Sequence, residues 1–489
     1  MLQTWFPRHF NEKIKLIIMK NKSQQKTTIL STLNFLERAG YYGLQSFFIF
    51  YFIQTKNIEE VEGYTLFGLY YGLIFLFTSF SAYIINKTKN PLFLYKVSFC
   101  LAPIGLLLFL SDSQFIHLAG MSLIIFATSF FRVIVPLLVG EFCDFKQNVD
   151  RNALFRKMYI HMNIGVFLSP IITGWISIFY GWVGAIFFIT FLYIAGATLI
   201  CFRSSDIFVE KRDDKNRLNN FKSLFLVMLS ILFILFSLLN EKMYNYLFFF
   251  VILGVVSILV FLYIQASEAE RVGLKLINSM IFFFFLFVGF YEQHGSSINV
   301  FILQHIDRKF FTFEIPVNFY QSISPLILVI CGVYINKIFS FKKMERVNAN
   351  VFLKSMIGFF LFAMAYFFFY KMASGVVSRA FASTYFLVLG LFFIAMGEIV
   401  FFPVVSSFIT KFSPKNMKTL YLSLINITAS SSIFLTSILG KLTTKDLNGD
   451  THVVDSYSQV FGLIMFSCVL LASLSFFVAR RYIFVNKNK

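Results

Sequence analysis

The sequence predicts an all-α polytopic membrane protein built as two six-helix bundles with two further helices inserted between them. Three observations carry that reading. Apolar residues make up 58% of the chain and charged residues only 14%, against roughly 45–50% and about 25% in soluble domains. Long apolar segments recur from end to end, and Lys and Arg gather in alternate loops between them.

A membrane-spanning helix needs about 20 apolar residues. Segments that meet this lie near 27–53, 62–86, 91–111, 113–142, 151–179, 181–202, 219–239, 243–265, 270–305, 316–338, 347–371, 377–412, 416–441 and 455–482, fourteen in all. They are continuous apolar runs, which excludes a β-barrel of short alternating strands. The 70 Phe and 23 Tyr then read as lipid-facing bulk and interfacial anchors.

The net charge of +19 reads as a topology signal and not as a nucleic-acid surface. Basic residues precede the first segment (Arg8, Lys13, Lys15, Lys20, Lys22, Lys26) and follow the last (Arg480, Arg481, Lys487, Lys489). They also fill alternate loops: Lys87 and Lys89; Lys146, Arg151, Arg156 and Lys157; Lys211, Arg212, Lys215 and Arg217; Lys342, Lys343 and Arg346; Lys411, Lys415 and Lys418. The opposite loops are poorer in basic residues or acidic, as in Glu59, Glu60 and Glu62 or Asp446, Asp450 and Asp455. By the positive-inside rule both termini are cytoplasmic, consistent with an even number of spans in a cell (inner) membrane. Cys100, Cys143, Cys201, Cys331 and Cys468 lack metal-site spacing and read as small buried apolar residues, and no cofactor is expected. The only apolar run in the basic N-terminus, Leu16–Met19, is too short for a signal-peptide core, so no cleavage is expected.

The longest polar interruption, 203–217, separates the sixth and seventh segments. Segments seven and eight carry almost nothing polar and have no evident part in lining an aqueous path. The expected organisation is therefore a bundle over 1–202, a linker with two inserted helices over 203–268, and a second bundle over 269–489. Two-bundle secondary transporters follow this six-plus-six plan, with their site at the midplane.

Intramembrane polar residues are rare enough to take singly. In N-F-L-E-R-A-G-Y-Y-G-L-Q, Asn34, Glu37, Arg38, Tyr41, Tyr42 and Gln45 fall within an arc of about 140° on a helix turning ~100° per residue. Gly40 and Gly43 lie opposite, where small residues admit a neighbouring helix. The Glu–Arg pair alone could be structural glue, but six polar residues on one face exceed what glue requires. Glu292, Ser296 and Asn299 are expected on one face of the ninth segment, with His294 turned away as a packing residue. Glu37, Arg38 and Arg132 each lie about ten residues, ~15 Å, from the cytoplasmic end of their helices. Glu398, among Ile, Val and Phe, either pairs with Arg132 or carries a proton. Three acids against two bases leave one acid over, compatible with proton coupling or with one protonated structural Glu.

Five ordered motifs resemble signatures of the proton-dependent oligopeptide transporters, a branch of the major facilitator superfamily. L-E-R-A-G-Y-Y-G is similar to E-x-x-E-R-F-x-Y-Y-G of the first helix. M-Y-I-H-M-N-I-G-V-F-L-S-P (158–170) is similar to F-Y-x-x-I-N-x-G-S-L, and Y-E-Q-H-G-S-S-I-N (291–299) to E-Q-x-G-S-S. P-V-N-F-Y-Q-S-I-S-P (316–325) resembles F-Q-S-x-N-P, and M-G-E-I-V-F-F-P (396–403) resembles G-E-x-x-x-x-P. The resemblance covers most of the chain. It implies the major facilitator fold, and bacterial members carry two extra helices between the halves.

It also implies roles. Glu37, Glu292 and Glu398 would couple protons. Arg38 and Arg132 would take a peptide carboxylate, Arg132 standing where the family has a Lys. Asn163, Glu292 and Glu398 would hold the peptide's amino end or form gates, and Tyr41 would line the cavity. Asn34, Gln45 and Ser324 occupy positions where the family has Glu, Arg and Asn, and Ala39 replaces a Phe. Arg132 cannot take over a deprotonating-Lys step. The loop 81–90 lacks the superfamily's Gly/Asp pattern. The implied activity is proton-coupled symport of di- and tripeptides by alternating access, with small peptides, protons and the bilayer as partners and a monomeric transporting unit. A proton-independent carrier, a carrier of another zwitterion or anion, and a transport-dead membrane sensor remain alternatives. No nucleophile–base pair or metal set points to an enzyme.

Overall fold

The computed structural model describes residues 8–145, 151–207, 215–240, 243–310, 313–338, 347–376, 382–413, 417–444 and 453–485, with side chains for most of them. Fifteen α-helices are described, and the strand content is one hairpin, β1 (Lys309–Phe310) with β2 (Phe313–Glu314). Eleven helices among the described residues are long and apolar enough to cross a membrane. The fold is thus the expected all-α polytopic one; one of these eleven, in α5, makes two passes, and the expected count of fourteen spans is not confirmed among the described residues. Of the basic clusters, the side chains at 8–26, at 146, 151 and 156, and at 211, 212, 215 and 217 lie outside the described residues, as do those at 342–346, 411–418, 481, 487 and 489. So do the acidic Asp446 and Asp450.

Helix α1 (Arg8–Phe50) runs without a break through the polar stretch and ends in one π-turn, Tyr51–Thr55. Helix α2 (Glu60–Thr88) has Glu60 and Glu62 in its first turn and Lys87 in its last, signs that suit the helix dipole at both ends. Helix α3 (Pro91–Phe109) starts on Asn90, whose side chain accepts from the Phe93 N–H at 3.3 Å, with Pro91 at its first position. Helix α4 (Gln114–Phe145) returns alongside it.

Helix α5 (Arg151–Ile207) contains a 47-residue apolar stretch, Lys157–Arg203. At 1.5 Å per residue this is ~70 Å of helix, about twice the ~30 Å hydrocarbon core. Gly181 resolves the mismatch. Its backbone (φ 63°, ψ −175°) is non-helical, so the stretch makes two passes divided there. Tyr180 is exposed beside it, and the Trp182 indole donates to Gln54 Oε1 at 2.7 Å, as suits an interfacial turn.

Helices α6 (Lys215–Leu239) and α7 (Met243–Gln265) are the two inserted ones. Only 33% and 22% of their apolar stretches is buried, against 72% for α2, so most of their surface faces lipid. Phe233 of α6 packs on Phe77 of α2, and Phe248 of α7 on Phe434 of α14 (Lys418–Leu442).

Helix α8 (Glu268–Tyr291) is capped by Glu270, which accepts from the Ser267 N–H at 3.2 Å and its hydroxyl at 2.8 Å. The expected continuous ninth helix then breaks. Glu292–Gly295 is a 3₁₀ turn, Ser296 is non-helical (φ −117°, ψ −109°), and α9 (Ser297–His305) starts afresh. Glu292, Ser296 and Asn299 therefore do not share a helix face, because the i, i+4, i+7 spacing holds only where the backbone stays α-helical. His294 packs on Tyr291, with Nδ1 2.8 Å from the Tyr291 carbonyl. The groups released by the break are taken up by neighbours. Thr436 donates to the Gly289 carbonyl at 3.0 Å, Gln293 donates to the Thr436 carbonyl at 3.0 Å, and Tyr366 donates to the Phe290 carbonyl.

After the hairpin come α10 (Val317–Gln321), α11 (Ile323–Ile338), α12 (Val347–Ser374), α13 (Thr384–Phe412), α14 and α15 (Val453–Val485). Stacked Phe287, Phe362 and Phe401 fill the centre of the α8, α12 and α13 packing, with centroids 3.9–4.1 Å apart. The five cysteines are free thiols, and the buried reading applies to Cys143 and Cys468 only. Cys100 and Cys201 are exposed on the outer faces of their helices and Cys331 is half-buried, since any apolar side chain suffices at a lipid-facing position.

The chain forms two compact units whose boundaries cut through α1, α2, α5 and α6. One comprises Met1–Tyr42, Ser81–Val166 and Phe187–Leu232; the other comprises Gly43–Phe80, Phe167–Ile186 and Phe233–Lys489. Within the first, α1 and α5 meet backbone to backbone at Gly165. A Cβ there would lie 2.9 Å from the Phe35 carbonyl oxygen and 3.2 Å from the Ala39 nitrogen. Gly165→Ala should therefore destabilise the protein by about 1–3 kcal/mol, outweighing the roughly 1 kcal/mol gained in helix propensity. Thermal unfolding in detergent checks this, and an unchanged or raised midpoint would show that the helices can separate cheaply.

Candidate functional site

In the first unit, the polar face of α1 meets α3, α4 and α5. Glu37 is fully buried, and Arg38 folds back onto it with Nε 2.8 Å from Oε2 and 11% of its side chain exposed. Neighbours at i, i+1 do not face each other on a helix, so the pair forms only because the guanidinium bends round. Arg132 also acts electrostatically on Glu37, and its guanidinium lies 4.8 Å from the centre of the Tyr41 ring. One carboxylate with two guanidiniums leaves a surplus of one positive charge.

Asn34 and Arg38 edge a cavity of about 450 Å³ whose other walls are Val135, Pro136 and Val139 of α4 and Met158, Tyr159 and Met162 of α5. The Asn34 amide donates to the Met158 carbonyl at 3.3 Å. Asn163 turns back on its own helix and donates to the Tyr159 carbonyl at 2.8 Å, so it does not enter this cavity wall. Gly40 lies on the expected packing face, where a Cβ would meet the Tyr193 ring at 2.5 Å.

Residues beyond those read from the sequence surround the cluster. Tyr95 of α3 is fully buried within electrostatic range of Glu37 and Arg38, and its hydroxyl has no hydrogen-bond partner. Tyr193 reaches the Glu37 carbonyl at 3.5 Å and lies within hydrogen-bond reach of Thr128. Nothing in P-L-F-L-Y-K-V marks Tyr95 off from an interfacial tyrosine, and only packing gives it a polar neighbour.

The second unit holds Gln45, Glu292, Ser324 and Glu398. Gln45 Nε2 donates to Glu292 Oε2 at 3.1 Å, with both side chains buried. Glu398 is half-buried in α13 with Tyr291 in hydrogen-bond reach, and Glu292 acts on it through its charge. Ser324 is buried at the start of α11 with no partner for its hydroxyl. This unit thus presents two carboxylates against one amide and one phenol. Among the described residues no group of three His, Cys, Asp or Glu could hold a metal.

Charged clusters built on broken and kinked helices inside a lipid-facing shell define a multi-pass membrane transporter of the major facilitator fold. The model of the POT family matches residues 72–454, and the chain belongs to that family. Its members are transporters and not enzymes. The chain is 22% identical over 467 residues to dipeptide and tripeptide permease A of Proteus mirabilis (strain HI4320), covering 92% of this chain and 93% of that one. It is 24% identical over 315 residues to the permease of the same name from Salmonella typhimurium, covering 62% and 61%. Among solved structures, a peptide transporter POT in complex with sulfate superposes with a TM-score of 0.79 at 16% identity, over 94% of this chain and 95% of that one. A POT family transporter in complex with 5-aminolevulinic acid superposes with a TM-score of 0.77 at 18% identity, over 94% and 96%.

Proposed function

We propose that this protein imports di- and tripeptides together with protons across the cell (inner) membrane by alternating access. One chain is the transporting unit, and both termini are cytoplasmic. The bundles are 1–202 and 269–489, and 203–268 is the linker with its inserted helices. The observation that carries this reading is the buried Glu37–Arg38 pair, joined by Arg132 at the edge of an open cavity. Its surplus positive charge suits a peptide carboxylate, and a charge-assisted pair with a guanidinium can be bidentate. Glu398 and Glu292 suit the peptide's ammonium. The relatives' names, dipeptide and tripeptide permease, support the same substrate class.

In this mechanism Glu37, Glu292 and Glu398 are the proton-binding groups. A proton on Glu37 removes its hold on Arg38, which then turns to the substrate carboxylate. Arg132 stays charged throughout, so the proton moves on carboxylates alone. Asn34, Tyr41, Gln45 and Ser324 complete the binding surface, and Asn163 supports it from behind by bonding the Tyr159 carbonyl.

Uptake of labelled dipeptides into liposomes under an imposed inward-acid gradient tests the proposal, with ionophore controls. Accumulation above equilibrium that collapses with the gradient is expected. Asn34 favours a second reading: it cannot titrate, and its amide is spent on the Met158 carbonyl, leaving fewer proton sites. Equilibrating flux that ignores the gradient would establish that proton-independent carrier instead.

A further inference from the structure

From Gly43 onward α1 belongs to the same compact unit as α9 and α10, and it is joined to them by buried hydrogen bonds. Gln45 donates to Glu292 at 3.1 Å. Asn318 donates to the Ser46 hydroxyl at 2.8 Å, and Asn299 donates to the Ser46 carbonyl at 3.0 Å. The Ser46 and Thr173 hydroxyls are 3.5 Å apart. Glu292 is the carboxylate of this seam. From α13, Glu398 faces it electrostatically; from its own turn, Tyr291 and His294 lie alongside. From α1, α2, α5 and α14 come the neutral Gln45, Ser46, Phe67, Thr173 and Thr436.

Three amide oxygens in the seam lack a hydrogen-bond partner: Gln45 Oε1, Asn299 Oδ1 and Asn318 Oδ1. Of these, Gln45 Oε1 sits on the same amide that serves Glu292. A guanidinium or ammonium has donors only and can bond a carboxylate but not the hydrogen of a carboxylic acid. A primary amide carries both kinds of group and, by turning over, can serve either form.

We propose that Gln45 is a proton-indifferent positioning partner of Glu292. Its Nε2 donates to the carboxylate, and its idle Oε1 accepts from the acid. The seam between α1 and α9 therefore stays closed whether or not Glu292 carries a proton. Protons can load on Glu292 without opening this contact, and opening must be driven from elsewhere. The inference rests on the contact geometry and holds whatever the protein carries.

The test uses the full-length protein in lipid nanodiscs, with its native cysteines replaced and nitroxides at Glu59→Cys and Asp307→Cys, two exposed positions flanking the seam. Pulsed dipolar spectroscopy at pH 5 and pH 8 should return the same closed distance. Glu292→Gln mimics the protonated acid and should also stay closed at both values. Gln45→Arg should become pH-sensitive, its closed-to-open ratio falling roughly tenfold on acidification as one charge-assisted bond is lost. A monodisperse Glu292→Gln protein that is open at pH 8 would overturn the proposal. So would a Gln45→Arg protein whose distance does not respond to pH.

Discussion

Arg38→Met is expected to lower stability and to abolish uptake together. The substitution leaves Glu37, which is fully buried, without the cation at 2.8 Å. Breaking a buried pair from one side costs about 3–5 kcal/mol, because the remaining charge keeps its desolvation penalty and loses its compensation. Arg132 still acts on Glu37, so the protein should fold, with a lower unfolding midpoint. The double variant Glu37→Gln/Arg38→Met separates the structural from the functional part. Removing both charges should restore most of the midpoint, while uptake stays depressed by roughly 100-fold for want of the carboxylate's partner. A double variant that regains both stability and uptake would mean the pair is glue and nothing more.

Glu398→Gln is expected to make the protein indifferent to the substrate's free amine. Wild-type protein should take up a free dipeptide far better than its N-acetylated counterpart, and the variant should take up both equally poorly. The loss for the free dipeptide should be roughly 30- to 100-fold, the scale for one partner missing from a desolvated charge pair. Competition uptake with matched free and acetylated peptides measures it. Equal uptake of the two by the wild type would remove Glu398 from ammonium binding. Tyr291, in hydrogen-bond reach of Glu398, provides the control. Tyr291→Phe keeps the carboxylate and should keep the preference for a free amine.

The fold was legible because hydropathy is a local property. Runs such as those of α6 and α7 declare their lipid-facing character residue by residue, and their exposure agrees with it. The Glu37–Arg38 pair was legible for the converse reason, since charges inside an apolar run stand out. The polar face expected over 291–299 does not form, because the i, i+4, i+7 spacing needs an unbroken α-helix and the backbone breaks at 292–296. E-Q-H-G-S-S contains no proline, and the 3₁₀ turn there depends on donors and acceptors from α12 and α14 that are distant in sequence. Tyr95 was missed because a tyrosine near the end of an apolar segment looks like an anchor. Its burial beside Glu37 is decided by where α3 docks. The unpartnered Gln45 Oε1 is a tertiary fact of the same kind.

The break between α8 and α9 also explains a helix other than its own. In L-I-N-I-T-A-S-S-S-I-F-L-T-S, residues 424–437 of α14, hydroxyl residues crowd a stretch that lies in the membrane without lining the cavity beside Arg38. Thr436 accounts for itself by holding the Gly289 carbonyl, Ser437 by holding the Tyr64 carbonyl at 2.6 Å, and Ser430 by holding the Gly72 carbonyl at 2.7 Å. Hydrocarbon supplies no donor, so the side chains of one segment become the solvent of another segment's backbone. Part of the polarity of α14 therefore serves the backbones of α2 and α8. Substituting any of those three hydroxyls alters a helix that the substitution does not lie on.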